Sequence, residues 1–262
     1  MIVDCHTHFS SDNRIMSEHI GAAEPVDKCI VLGTPEPAVE DINERLADYV
    51  KSYKDRMIGF AFIDPVRDLY NTKELRYVTG DLGLSGTAVY CAQCGFHPAQ
   101  SRAMRFYEAA EELGLPVFFH NGPVLKADSF LEYAQPVLLD DIARTFRKLK
   151  IIIGDIGLPF VEQTYSMLAK HENVYADFTI NPDSSWQTFN LVVRAYESKV
   201  MDKLLFGSGF PLGRAQKCIE VLLGFNKMFI EADLPSVPRA EIQDFLQRNT
   251  LFALGIKQIA EK

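Results

Sequence analysis

Short apolar runs along the chain alternate with longer stretches in which apolar positions recur about every 3.6 residues. The short runs are Ile2–Cys5, Lys28–Leu32, Met57–Phe62, Gly86–Tyr90, Pro116–His120, Lys150–Ile153, Val174–Asp177 and Leu204–Phe206. They are continuously apolar, the pattern of strands in a parallel sheet covered on both faces.

Helical stretches lie between them. Ala38–Lys54 sets Val39, Ile42, Leu46, Val50 and Tyr53 at helical spacing, and Ser101–Leu113 does the same with Met104, Phe106, Tyr107, Ala110 and Leu113. Gly114 then supplies a C-terminal stop, and Pro116 begins the next strand. Asp141–Leu149, Phe160–Lys170, Trp186–Val200, Arg214–Phe229 and Arg239–Leu246 complete the helical series. The mostly polar Ser10–Pro25 reads as a long loop after the first strand, placed to act as a lid or substrate loop.

Strands alternating with helices predict an α/β fold with a parallel sheet and right-handed crossovers. Eight such units in 262 residues match a closed (β/α)8 TIM barrel, read as one domain over residues 1–262. An open doubly wound sheet would offer a glycine-rich phosphate turn after a strand. Here the first strand runs into CHTHF, and no G-x-G-x-x-G or P-loop pattern follows any strand.

Composition narrows the function classes. Apolar residues make up 47% of the chain, enough for a large core. The net charge of −8, with no basic cluster, argues against a nucleic-acid partner. No apolar run approaches the ~20 residues needed to cross a bilayer. The opening residues lack the charged and apolar regions of a signal peptide, so a cytoplasmic location is expected. Five cysteines, mostly in or beside apolar runs, fit reduced buried thiols there better than a disulfide framework.

The candidate chemistry sits at strand ends. His6 and His8 are two residues apart, so on a strand they project to the same side, together with Asp4. His120 ends the fifth run in the same way. Barrel active sites form at the C-terminal ends of strands, and imidazoles gathered there can share one divalent ion. An isolated H-x-H also occurs as two solvent-facing or hydrogen-bonded histidines; three of six histidines at strand ends favours the metal reading.

These segments resemble the amidohydrolase superfamily, in particular its amidohydrolase-2 branch, which includes aminocarboxymuconate-semialdehyde decarboxylase-like hydrolases and decarboxylases. DCHTHF is similar to the family's first-strand motif, and DRMIGFAFIDP and GLSGTAVYCAQCGFHP to its third and fourth strand segments. YEAAEELGLPVFFHNG resembles the helix and strand that deliver the fifth-strand histidine. KLKIIIGDIGLPF, ENVYADFT, KLLFGSGFP and QRNTLFALGI resemble the last three strands and the closing helix. The resemblance implies one divalent ion, zinc or else manganese, on His6, His8 and His120. It implies attack by activated water on an electrophilic carbon, or polarisation of a substrate carbonyl.

Two positions depart from that pattern. Asp155 stands where the sixth strand segment usually ends in His, and Gly209 where F-G-S-D-x-P carries its Asp. Glycine offers neither a ligand nor a base. Asp155 could complete an N3O set with His6, His8 and His120, or serve as the base. It could equally pair with a cation or cap the helix near Phe160.

Other residues carry weaker expectations. Asn121, His97 and Arg214 are candidate substrate contacts, Arg214 for an anionic group. Asp4 is a candidate partner for the metal ligands, while Asp177 ends a strand where carboxylates often cap helices. Cys91 and Cys94 form a lone C-x-x-C, read as two buried thiols. Phe9, Phe119 and Phe210 would either wall an apolar pocket or join the core.

The expected function is a divergent metal-dependent enzyme that hydrolyses or non-oxidatively decarboxylates a small carboxylate, lactone or cyclic substrate. The alternative is an inactive barrel that binds a small molecule or a protein partner. A homodimer is the commonest closed assembly and the one expected here.

Overall fold

A computed structural model describes residues 1–36, 39–68, 70–120, 127–224 and 234–256. Eight parallel strands form one sheet in chain order. They are β1 (Val3–His8), β2 (Lys28–Leu32), β3 (Met57–Phe62), β4 (Gly86–Val89), β5 (Val117–Phe119), β6 (Ile151–Ile153), β7 (Val174–Thr179) and β8 (Leu204–Gly207). The sheet returns on itself where Thr7 bridges Phe210. There the His8 N–H donates to the Phe210 carbonyl at 3.0 Å, and the Gly209 N–H to that of His6 at 2.9 Å. This is the expected (β/α)8 barrel.

The helices are α1 (Asn13–Ala22), α2 (Ile42–Ser52), α3 (Thr72–Arg76), α4 (Cys91–Cys94), α5 (Ser101–Leu113), α6 (Asp140–Thr145), α7 (Val161–Lys170), α8 (Ser185–Glu197), α9 (Ala215–Gly224), α10 (Arg239–Leu246) and α11 (Thr250–Ala253). Ala38, the expected start of the Ala38–Lys54 stretch, and residues 225–229, the expected end of the Arg214–Phe229 stretch, lie outside the described residues. Among the described residues no helix is long and apolar enough to cross a membrane.

One expectation is corrected. Ser10–Pro25 is not a loop but contains α1, capped by Asp12, whose side chain accepts the Arg14 N–H at 2.8 Å. The stripe α1 buries is Met16 and His19. A histidine in the buried row hides the apolar period from sequence inspection.

Side chains alternate between two cores. Ile30, Leu32, Phe60, Ala88, Phe118, Ile152 and Leu205 fill the barrel interior, closed at the bottom by Leu251 and Leu254 of the α11 turn. Cys29, Val31, Ala61, Val117, Phe119, Ile153 and Phe178 face the helices. Burying a side chain such as Phe118 contributes about 2 kcal/mol, before the entropy of ordering it. All five cysteines are unpaired thiols; Cys5, Cys29, Cys91 and Cys218 are buried and Cys94 is half-buried.

β1 breaks the alternation. Asp4 pairs with Cys29 and Thr7 with Val31, so three residues of β1 advance against two of β2, with a register shift between. Such a bulge turns two consecutive side chains to one face. Val3 and Cys5 belong to the interior core, and His6 follows Cys5 inward instead of pointing away from it. Asp4 therefore does not share a face with His6 and His8, as strict alternation predicts. It sits beside outward-facing Cys29 and holds β8, its Oδ1 accepting the Ser208 N–H at 2.9 Å and the His6 N–H at 3.2 Å.

A candidate metal centre of three imidazoles

The bulge and the barrel closure bring three imidazoles together at the C-terminal ends of β1 and β5. His6 Nε2 lies 3.0 Å from His8 Nε2, and His120 Nε2 lies 3.3 Å from it. Tetrahedral ligands at the usual Zn–N distance stand about 3.3 Å apart, so this spacing suits a shared divalent ion. The rings pack edge to face, with centroids 4.8 to 5.0 Å apart. Tyr90, at the end of β4, lies against His120 at 4.7 Å and is anchored by its hydroxyl to the Gly33 carbonyl at 2.8 Å.

The electrostatics divide the three. Burial pushes His8 and His120 well below the usual histidine pKa, and their imidazole neighbours push the same way. They are neutral bases with lone pairs to offer. For His6 burial also lowers, but the charges of Asp177 and Asp155 and the Asp177 hydrogen bond outweigh it and raise the pKa to about 9. His8 Nδ1 is buried without a hydrogen-bond partner among the described residues.

A carboxylate side of the site adjoins the imidazoles. Asp177 Oδ2 lies 2.5 Å from His6 Nδ1. Asp155 lies 3.9 Å from His6 Nδ1 through Oδ1 and 3.9 Å from His120 Nε2 through Oδ2. His6, Asp155 and Asp177 form a second close group that shares His6 with the first. Asp155 and Ile156 adopt left-handed backbone at φ 49° and 50°, strained for both and more so for the β-branched residue. Asp155 is buried in that turn, away from the start of α7, where Phe160 precedes the helix without a side-chain cap.

The remaining candidates scatter. Asn121 lies outside the described residues. His97 is exposed, accepts the Ala99 N–H at 3.1 Å and meets Tyr133 edge to face. Arg214 is exposed and ion-paired to Glu18 of α1 at 2.5 Å. Neither joins the imidazole cluster. Phe9 and Phe119 pack in the helix-facing core, and Phe210 stacks on His19 at 4.7 Å. Cys91 and Cys94 span α4, and burial pushes both thiols up, Cys94 to about 12, which leaves them unreactive.

Asp177 is a partner of His6 rather than the expected helix cap, and Thr179 and Tyr90, not singled out by the sequence, also border the imidazoles. Their signal was the same strand-end placement that singled out His120. Gly209, at φ +67°, points no side chain into the site, and a Cβ there would stand 2.8 Å from Thr179 Cγ2.

Comparison with known proteins agrees with this architecture. A family model described as amidohydrolase matches residues 32–252. A search of curated proteins finds no match. Among solved structures, 5-carboxyvanillate decarboxylase from Novosphingobium aromaticivorans, complexed with manganese and 4-hydroxy-3-methoxy-5-nitrobenzoic acid, superposes with TM-score 0.70 at 13% identity, covering 97% of this chain and 96% of that one. A probable 2-pyrone-4,6-dicarboxylic acid hydrolase from Acinetobacter baumannii, with citric acid bound, gives 0.67 at 14%, covering 97% and 99%. 2,6-Dihydroxybenzoate decarboxylase from Rhizobium gives 0.68 at 15%, covering 97% and 98%. At these identities the likeness is one of fold.

Proposed function

Since the chain belongs to the amidohydrolase family, we propose that it is a single-domain, metal-dependent enzyme that hydrolyses or non-oxidatively decarboxylates a small carboxylate, lactone or cyclic substrate. The observation that carries this reading is the convergence of the His6, His8 and His120 Nε2 atoms, 3.0 and 3.3 Å apart, from two distant strands. A barrel needs no imidazole there to pack. Three imidazole nitrogens suit one divalent ion, zinc or manganese. When bound, such an ion supplies Lewis-acid activation of a water or a substrate carbonyl.

The chain's own residues supply the rest. His8 and His120, kept neutral by burial, present lone pairs without first losing a proton. Asp155, whose Oδ2 lies 3.9 Å from His120 Nε2, would take a proton from a water that attacks the substrate, or return one to a carbon after carboxylate loss. With a small shift it could instead be a fourth ligand. Buried Phe118 and Tyr90 exclude bulk solvent from the imidazoles on the barrel side. Arg214 would meet an anionic substrate group only by leaving Glu18.

The relatives support the substrate class through their names, a pyrone dicarboxylic acid hydrolase and two aromatic acid decarboxylases. One observation favours a second reading, a barrel that binds without turning over: the segment after β8 carries Gly209 and offers no carboxylate at that position.

Metal content of protein purified without added metal, wild type beside His120→Ala, tests the proposal. Near-stoichiometric zinc or manganese, lost in the variant, supports it. No binding even in excess metal rejects the metal-dependent reading in favour of the binding barrel. Bound metal with hydrolysis or carbon dioxide release lost in Asp155→Asn would assign the base.

A further inference from the structure

Asp177 is fully buried on β7, and its carboxylate is surrounded by donors. Oδ2 accepts from His6 Nδ1 at 2.5 Å, from the Thr179 hydroxyl at 2.8 Å and from the Asp155 backbone N–H at 3.0 Å. Oδ1 accepts from the Cys5 thiol at 3.5 Å. Each carboxylate oxygen has two lone pairs, so the three donors on Oδ2 fill it, while Oδ1 takes only the weak thiol donor. The donors come from β1, β7 and the turn after β6, so one side chain ties together every element carrying the carboxylate side of the site.

We infer that Asp177 is a positioning residue: it holds the His6 proton on Nδ1, turns Nε2 toward His8 and His120, and leaves the His6–Asp155–Asp177 group closed to a second ion. This rests on reading the three imidazoles as a metal centre. The geometry is that of a carboxylate–histidine–metal relay, in which the outer carboxylate fixes ring orientation and strengthens the ligand. His8 shows the contrast, since its Nδ1 has no such partner among the described residues. Thr179 adds to the hold, with Oγ1 2.8 Å from His6 Nδ1 while its hydroxyl donates to Asp177. Asp177 Oδ2 and His6 Nδ1 are taken up with each other, so neither is free for a second ion, and moving the carboxylate would strand the Asp155 N–H and the Cys5 thiol in the barrel interior. The chain should therefore bind one ion.

The test compares wild type, Asp177→Asn and Thr179→Val in two measurements. The first is zinc affinity and stoichiometry by competition with a chromophoric chelator. The second is proton–nitrogen long-range correlation of the histidine rings in the metal-free protein. Asp177→Asn keeps the shape and removes the charge, so it should weaken zinc about 10–100-fold at one ion per chain, with unfolding still cooperative. Wild type should show a strongly downfield proton on His6 Nδ1, displaced upfield in Asp177→Asn. Thr179→Val should move both readouts the same way by less, and it carries the test if Asp177→Asn does not fold.

Unchanged zinc affinity, or two ions per wild-type chain, would overturn the inference. A wild type that binds neither zinc nor manganese would refute the metal centre. In that case a downfield Nδ1 proton moved by the variants still supports the orienting role, and its absence overturns that as well.

Discussion

Gly207 on β8 leaves open the space that Asp177 occupies on β7. A Cβ at position 207 would overlap Asp177 Oδ1 and come within 2.9 Å of His6 Cβ and 3.0 Å of Thr179 Oγ1. The missing side chain on one strand is thus a condition for the carboxylate–imidazole contact made from the next. Gly207→Ala should cost about 1–3 kcal/mol through overpacking and weaken zinc binding in the same protein. Urea unfolding beside chelator competition checks both; a variant as stable and as metal-competent as wild type would show that the interior is not packed as described.

Placing a carboxylate just past β8 should not raise activity. Gly209 has φ +67°, and its Cβ would press on Thr179 Cγ2. Gly209→Asp is expected to lose about 1–2 kcal/mol from the left-handed backbone, with no gain in turnover. A variant faster than wild type on the same substrate would refute this.

Metal binding should release a proton. His6 has its pKa raised to about 9, whereas burial keeps His8 and His120 well below 6.5 and neutral. Below pH 9 an ion must displace the proton on His6 Nε2, while Nδ1 keeps its own. Near pH 7 about one proton should leave per ion, and affinity should rise about tenfold per pH unit up to pH 9. Calorimetry in buffers of different ionisation enthalpy counts the protons; zero released would contradict the charged state assigned to His6.

His19 should make the fold sensitive to mild acid. It is buried between Tyr49, whose hydroxyl lies 2.8 Å from Nδ1, and Phe210, and its Nε2 has no partner among the described residues. Burial, with Arg56 nearby, depresses its pKa to about 4. The folded pKa lies below the unfolded value near 6.5, so between them the unfolded chain binds the extra proton. The contribution is complete above pH 6.5 and lost as pH falls toward 4, at most about 3 kcal/mol in total. Unfolding of wild type and His19→Gln at pH 7.5 and 5.0 checks this: wild type should lose about 2 kcal/mol more than the variant. Equal losses would place the acid sensitivity elsewhere.

The barrel was legible in the chain because its signals are local. Each strand is a short apolar run, and Lys28–Leu32 and Met57–Phe62 form strands over the predicted residues. β1 and β7 extend beyond their apolar runs because Thr7, His8 and Thr179 pair in the sheet as well as apolar residues do. His6, His8 and His120 were legible for a related reason, since a histidine ending an apolar strand marks the mouth of a barrel. α1 was not, because its buried row includes His19.

What the sequence determined by itself was the period of the elements, their number and order, and the three imidazoles at strand ends. What only the tertiary structure decided was orientation and partnership. Alternation places His6 opposite Cys5, and the β1 bulge turns both inward; a bulge depends on pairing with β2, which no period in β1 records. Asp177 looked like a helix cap because its partner His6 is 171 residues away and meets it only when the barrel closes. Asp155 gains its place from a strained left-handed turn held by packing and by the Asp177 carboxylate. Local propensity is written along the chain, whereas the directions of side chains at a site follow from long-range register and closure.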